Sequence, residues 1–285
     1  MNIALSNAPP VTESFTYTPF VKTLEVGEGR LDVVGDIHGC MDELMVLLSQ
    51  AGYLIGEFDP RGTAPIAIYH PEGRKLVLIG DLTDRGPYSD QVLRLAMGLH
   101  KTGTGTVVMG NHDWKLVRYL MGRKVTVPDS LQSTLDQIVP LGEVFLHSVL
   151  SFYMTVPHQV RVPLTWEHSY EGASSMWLAH GSARESVQGK ITRKAFDRSV
   201  YGYPSEEVDP EGWLIRDDWA ETYEGKDPVI HGHVIHTEPT YKNRVLCLDT
   251  GCVFGNKLSL YRVDEGSFLF EAAQANYSGT DRVFS

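Results

Sequence analysis

Five short stretches concentrate the side chains that bind metal ions and phosphate. They are GDIHG at 35–39, GDLTDRG at 80–86, GNHD at 110–113, a histidine at 180 and HGH at 231–233. Their carboxylates, imidazoles and carboxamide are ligands for borderline divalent ions such as Mn²⁺ or Fe²⁺ rather than for Ca²⁺. Arg85 adds a planar, permanently charged fork suited to bidentate contact with phosphate oxygens. Taken singly, each stretch is ordinary. Asp and Asn bond their own backbone in turns, and an isolated histidine such as His180 is often a buried structural group. What distinguishes the set is its placement, because each stretch directly follows an apolar run.

Those runs read as buried strands at 31–35, 75–80, 106–110, 175–179 and 228–230. Helical patterns separate the first three. Residues 41–52 put Met41, Leu44, Met45 and Leu48 on one face, and 90–100 do the same with Val92, Leu93, Ala96 and Leu99. A third helix is expected from about 113 to 121. Strands alternating with helices imply an α/β fold, a sheet with parallel strands and helices on its faces. Ligands in such sheets gather outside the carboxyl ends of the strands, so five segments converge on one rim. Further strand signals at 244–248, 257–263 and 267–271 lie close to that at 228–230, and these four predict antiparallel pairing late in the chain. Residues 122–175 break the rhythm and read as a helical or irregular insert, a cap over the site. With no repeat and no linker, the chain reads as one domain, 1–285, with an arm at 1–28 and a tail at 273–285.

Composition narrows the function. The formal charge is −11, from 36 acidic and 25 basic residues. General coating of nucleic acid relies on a basic surface and is disfavoured, whereas a phosphorylated substrate is compatible if the site carries metal ions. No apolar run approaches the roughly 18 residues of a membrane span. Residues 1–20 lack the basic start and apolar stretch of a signal peptide. The odd cysteine count (Cys40, Cys247 and Cys252) suits a reducing compartment, so a cytoplasmic location is expected. Cys247 and Cys252 have the wrong spacing for a zinc knuckle, and ordinary thiols are the better reading.

In this order, the five stretches resemble the calcineurin-like metallophosphoesterases, specifically the phosphoprotein-phosphatase branch, over about 31–263. The stretch RDDWAETYEGKDPVIHGHVIHTEPTYKNRVLCLDTGCVFGNKLSLYRV at 216–263 is most similar to bacterial members. Those include bis(5′-nucleosyl)-tetraphosphatases and the phosphatase module of bacterial polynucleotide kinase-phosphatase. The resemblance implies a β-sandwich flanked by helices and two divalent ions, Mn²⁺ first, with Fe, Ni or Zn as alternatives. It assigns Asp36, His38 and Asp81 to one ion, and Asp81, Asn111, His180 and His233 to the other. Water activated between the ions would attack phosphorus in line, without a covalent enzyme intermediate. Arg85 and Asn111 would hold the phosphate, and His112, oriented by Asp84, would protonate the leaving oxygen.

Other assignments are two-sided. Arg184 and Arg216 are further phosphate contacts or partners of nearby acids, and His231 is substrate-facing or structural. Asp249 would hydrogen-bond a ligand histidine or stabilise a turn. Trp213, Trp219 and Tyr223 could stack on a base, with core packing the default. The sequence also departs from its relatives. GHVIH replaces the broader GHxH, so His233 alone is a ligand there. GNHD in place of GNHE favours nucleotide-type members. The implied function is hydrolysis of nucleotide or polynucleotide phosphates, either tetraphosphatase-like or RNA-end phosphatase-like. The alternative is a serine/threonine protein phosphatase with the same site and phosphoprotein partners. A non-catalytic phosphate-binding protein is disfavoured, since every expected ligand type is present.

Overall fold

The computed structural model describes residues 15–166, 170–208, 214–216 and 218–280, with backbone alone at Gly29, 204–208 and 214–216. Two sheets form its centre. The first runs in the order β15-β14-β2-β5-β6, from β2 (Leu31–Val34), β5 (Lys75–Leu78), β6 (Gly105–Val107), β14 (Lys257–Arg262) and β15 (Ser267–Ala272). Here β2, β5 and β6 are parallel, and β14 joins antiparallel to β2. The second runs β1-β7-β8-β11-β13-β12. Its strands are β1 (Val21–Thr23), β7 (Gln159–Pro163), β8 (Ser175–Leu178), β11 (Val229–His231), β12 (Thr240–Lys242) and β13 (Val245–Cys247). Two small ribbons complete the strands, β3 (Leu54–Ile55) with β4 (Ile68–Tyr69), and β9 (Pro204–Val208) with β10 (Leu214–Arg216).

Side-chain alternation along the strands builds the layers. Leu31, Val33, Val77, Ile79 and Val108 of the first sheet pack against Val160, Val162, Met176, Leu178, Ile230 and Leu246 of the second. The other face of the first sheet, with Val34, Leu76 and Leu78, meets helices. These are α1 (Met41–Gln50), α2 (Ser89–Thr102), α3 (Asn111–Leu120), α4 (Asp129–Ile138) and α5 (Glu143–Tyr153). A sixth, α6 (Arg193–Tyr201), lies against α3. On the far side of the second sheet, Trp177, Val229 and Val245 pack with Trp219 and Tyr223. Both aromatics are core residues there, and Trp213 lies outside the described residues.

Three local expectations change. The strand β11 pairs with β13 in parallel, not antiparallel, because the chain between them first runs out through β12 and turns back. The segment 122–175 contains β7, whose Val160 and Val162 point into the sandwich, so only its helices are additional to the sheets. The second half of the expected arm is built in as well. Here β1 pairs with β7, and the Tyr17 hydroxyl donates to the Val156 carbonyl at 2.8 Å. No helix among the described residues is long and apolar enough to cross a membrane.

Candidate metal centre

The loops that leave β2, β5, β6, β8 and β11 meet at one edge of the sandwich. Their backbones are bent to do so. Of the eight described non-glycine residues with positive φ, five are His38, Asp81, Asp84, Arg85 and His233. Left-handed backbone at non-glycine residues costs free energy and persists where the surroundings over-determine it. Glycines give the loops room. A Cβ on Gly86 would lie 2.0 Å from the His38 carbonyl oxygen, and one on Gly232 would lie 2.0 Å from Asp36 Oδ1.

Asp81 is the hub. Its Oδ2 lies 3.5 Å from His38 Nε2, and its Oδ1 lies 3.4 Å from His180 Nε2. Two clusters of ligand atoms share it, His38–Asp81–His112 and Asp81–His180–His233, with the atoms of each within 4.8 Å of one another. The tautomers favour an ion. The Nδ1 of His180 faces the Ile79 carbonyl at 3.2 Å and donates to it, which in the neutral ring leaves Nε2 as a lone pair. Burial favours that neutral ring, while the Asp81 charge outweighs burial and raises its pKa. Around that lone pair stand Asn111 Oδ1 at 3.0 Å, His233 Nδ1 at 3.1 Å and the Asp81 oxygen. Acceptors that converge in this way are stabilised by a cation, so the donor set fits a divalent ion. His38 is arranged alike, with Nδ1 2.7 Å from the Thr83 carbonyl and Nε2 turned into the site. Burial and the nearby Arg85 hold its pKa well below the ordinary imidazole value, keeping that nitrogen unprotonated.

Asp36 stands behind the second cluster, accepting from the His233 backbone N–H at 3.2 Å and lying 3.9 Å from His180 Nδ1. Burial, followed by the charges of Asp249 and Asp81, raises its pKa well above the usual carboxylate value. Burial likewise pushes Asp249 up to about 6. Asp249 accepts from the Gly251 N–H at 3.0 Å and borders Asp36. It therefore combines the turn role with support of Asp36. So many buried carboxylates at one edge require compensating positive charge.

A second constellation sits on the His38 side. His112 Nδ1 and Asp84 Oδ2 are 2.5 Å apart. Arg85 donates from Nη1 to His38 Nε2 at 2.9 Å and from Nη2 to His112 Nε2 at 3.3 Å. Its guanidinium also lies 5.1 Å from the centre of the Phe254 ring.

Several supporting residues were not apparent in the sequence. Thr134 of α4 donates to Asp84 Oδ1 at 3.0 Å and accepts the Asp84 N–H at 2.9 Å. Ser133 accepts the Arg85 N–H at 3.1 Å, and Gln137 donates to the Gly86 carbonyl at 3.0 Å. Ser130, Ser133, Thr134 and Gln137 recur at i, i+3, i+4, i+7, a polar stripe that could have drawn notice. Asp113 is fully buried, accepting from the Leu82 N–H at 3.1 Å and the Tyr153 hydroxyl at 2.9 Å. Burial and then Asp81 push its pKa up to about 7.

Other sequence candidates lie elsewhere. His231 is 3% exposed, with its ring 5.0 Å from that of Trp219. Burial lowers its pKa to about 4, so it is a neutral core histidine, not a substrate contact. Arg184 donates to the Thr222 carbonyl at 3.0 Å and lines a cavity that contains none of the residues of the centre. The side chain of Arg216 lies outside the described residues, although its backbone ends β10. Cys252 clusters with Cys40 and Glu43 rather than with Cys247, and all three thiols are free.

A β-sandwich whose strand ends bring two histidine clusters onto one shared aspartate is the arrangement of a two-metal phosphoesterase. Comparison with known proteins agrees. Residues 29–237 match the model of the calcineurin-like phosphoesterases. Among the curated relatives, the bis(5′-nucleosyl)-tetraphosphatase PrpE [asymmetrical] of Bacillus subtilis (strain 168) is 39% identical over 234 residues, 82% of this chain and 91% of that protein. The protein of the same name from Halalkalibacterium halodurans is 36% identical over 242 residues, 84% of this chain and 92% of the relative. A crystal structure described as a candidate diadenosine tetraphosphatase superposes with a TM-score of 0.57 at 26% identity, over 90% of this chain and 99% of the other. The chain belongs to the calcineurin-like phosphoesterase family, and it is a metal-dependent phosphoesterase.

Proposed function

We propose that this protein hydrolyses dinucleoside tetraphosphates asymmetrically, water cleaving one phosphoanhydride to leave a nucleoside monophosphate and a nucleoside triphosphate. The observation that carries the chemistry is Asp81, with one carboxylate oxygen facing each histidine cluster. The substrate reading is supported by the tetraphosphatase relatives, which align over about nine-tenths of their length.

Two divalent ions, with Mn²⁺ the first choice, supply when bound a clamp on the phosphoryl oxygens and a water acidic enough to attack near neutral pH. Asp36, from its place beside His180 and His233, would join His38 and Asp81 around one, and Asp81, Asn111, His180 and His233 would hold the other. The chain's own residues do the rest. Arg85 rests on the ring nitrogens of His38 and His112. Turning from them to the substrate frees His38 Nε2 as a ligand and His112 Nε2 as a proton carrier. The guanidinium fork then spans two phosphate oxygens. Asp84 fixes the His112 ring through Nδ1, so that Nε2 delivers its proton to the departing oxygen. The free thiols suit a cytoplasmic setting.

The test is a substrate panel with Mn²⁺: a dinucleoside tetraphosphate, a nucleoside 3′-phosphate, an RNA 3′-phosphate end and a phosphoserine peptide. The expected result is a kcat/KM for the tetraphosphate at least ten-fold above the others. A phosphopeptide or RNA end that outruns it would replace the substrate assignment and leave the metal chemistry standing.

A further inference from the structure

A cavity of ≈ 660 Å³ is lined by Arg184, Lys194, Arg198 and Tyr203, with Glu185 and Glu224 also on its wall. Backbone ties this wall to the centre. Gly181, directly after His180, packs so closely that a Cβ on it would lie 2.4 Å from the Gly202 nitrogen. A Cβ on Gly202 would in turn lie 3.7 Å from His233 Cδ2. Tyr203 follows Gly202 and Arg184 lies four residues after His180, so the cavity wall is built on the segments that adjoin the two histidines.

The cations there are built in. The Tyr203 ring collects two guanidinium groups, Arg198 at 4.4 Å and Arg184 at 5.4 Å from its centre. Arg198 is fixed by donating to the Gly202 carbonyl at 3.3 Å, and Arg184 by donating to the Thr222 carbonyl at 3.0 Å. Neither pairs with a carboxylate among the described residues. Glu185 instead accepts the Glu224 backbone N–H at 2.8 Å. Two like charges fixed on one ring repel each other, and in a chain of formal charge −11 such a cluster is a local exception. An anion with several charges relieves the repulsion. A phosphomonoester held at the metal centre has no charge left to offer it, whereas a polyphosphate chain does.

We infer that this cavity is a subsite for the phosphates beyond the one under attack, and that Arg198 and Lys194 with Tyr203 select polyphosphate chains over monoesters. The inference rests on the proposed substrate class. In that reading Arg184 and Arg198 bracket one phosphate over the Tyr203 edge. Lys194, exposed on α6, meets the chain as it leaves toward the second nucleoside.

The experiment compares wild type with Arg198→Ala/Lys194→Ala on a dinucleoside tetraphosphate and on p-nitrophenyl phosphate. In the double variant, KM for the tetraphosphate should rise at least ten-fold, with kcat/KM for the aryl phosphate changed less than two-fold. Arg198→Lys alone should give an intermediate KM, because it keeps the charge and loses the fork. Inorganic tripolyphosphate, with metal in excess of what it chelates, is a probe independent of the natural substrate. It should inhibit wild-type aryl phosphate turnover at least ten-fold more strongly than orthophosphate, and lose that advantage in the double variant. An unchanged KM, or an undiminished tripolyphosphate advantage, overturns the subsite. If wild type ignores the tetraphosphate yet retains the tripolyphosphate advantage, the substrate reading falls and the subsite stands.

Discussion

Asp81 and His112 sit one bond apart in the network and should fail in different ways. The carboxylate of Asp81 faces both clusters and also accepts the His112 backbone N–H at 3.0 Å. Asp81→Ala should therefore lower the metal content from about two ions per chain to below one and abolish turnover, as elemental analysis alongside an aryl phosphate assay would show. Retention of two ions would remove the shared-ligand role. His112 differs because its ring is held by Asp84 and its proposed work is on the leaving group. Protonation matters most for a poor leaving group such as a ribose hydroxyl and little for p-nitrophenolate. His112→Asn should slow a nucleoside 3′-phosphate more than p-nitrophenyl phosphate by a factor of ~10²–10⁴, with metal content kept. Single-turnover rates would ensure that chemistry is compared in both reactions. Equal slowing of the two substrates would make His112 a metal ligand or phosphate contact, in keeping with its place in the His38–Asp81 cluster.

One step up, α4 shows what the sequence conceals. The five chemical stretches were legible because each is local: an apolar run ends and ligands follow within a few residues, as Asp36 and His38 follow β2. The docking of α4 was not legible, since Ser130, Ser133, Thr134 and Gln137 look like a solvated helix face until the 80–86 loop is laid on them. Nor was the direction in which β11 and β13 pair, because strand sense depends on the path of the whole connection. Strand β7 escaped notice for another reason. QVRVP is short, ends in proline and follows two helices. The role given to α4 has a measurable consequence. Thr134→Val removes the hydroxyl that pairs with Asp84, leaving a buried carboxylate oxygen and a backbone N–H without their partner. That should cost about 1–3 kcal/mol of stability. It should also reproduce, more weakly, the leaving-group bias of His112→Asn. Denaturant unfolding together with the two-substrate rate ratio would separate these effects. Lost stability with an unchanged ratio would make α4 a buttress of the fold only.

Across the whole molecule, stability and chemistry occupy opposite ends of the same strands. Asp32, fully buried on β2, lies four residues before Asp36 and on the helix side of the sheet. Arg74 grips it with Nη2 at 2.7 Å and Nε at 3.1 Å, and reaches Asp264 through Nη1 at 3.0 Å. Arg262 of β14 adds a second cation 3.6 Å from Asp32. The cluster joins β2, the turn before β5 and the end of β14, so it locks the strand register of the first sheet. Breaking a buried pair by deleting one partner typically costs about 3–5 kcal/mol, because the remaining charge is left uncompensated. Asp264 stays beside Arg74 in Asp32→Ala, which places the expected loss near the lower figure, about 3 kcal/mol. In a chain of this size that corresponds to a fall in melting temperature of roughly 5 °C. The metal edge should not register the change, since among the described residues no hydrogen bond of this cluster reaches the loops that carry Asp36, His38 and Asp81. Asp32→Ala should accordingly keep about two ions per chain and wild-type kcat/KM at 25 °C while melting earlier. A folded variant with reduced metal content would mean that strand register is transmitted to the site, and that the two ends of the sandwich are not independent.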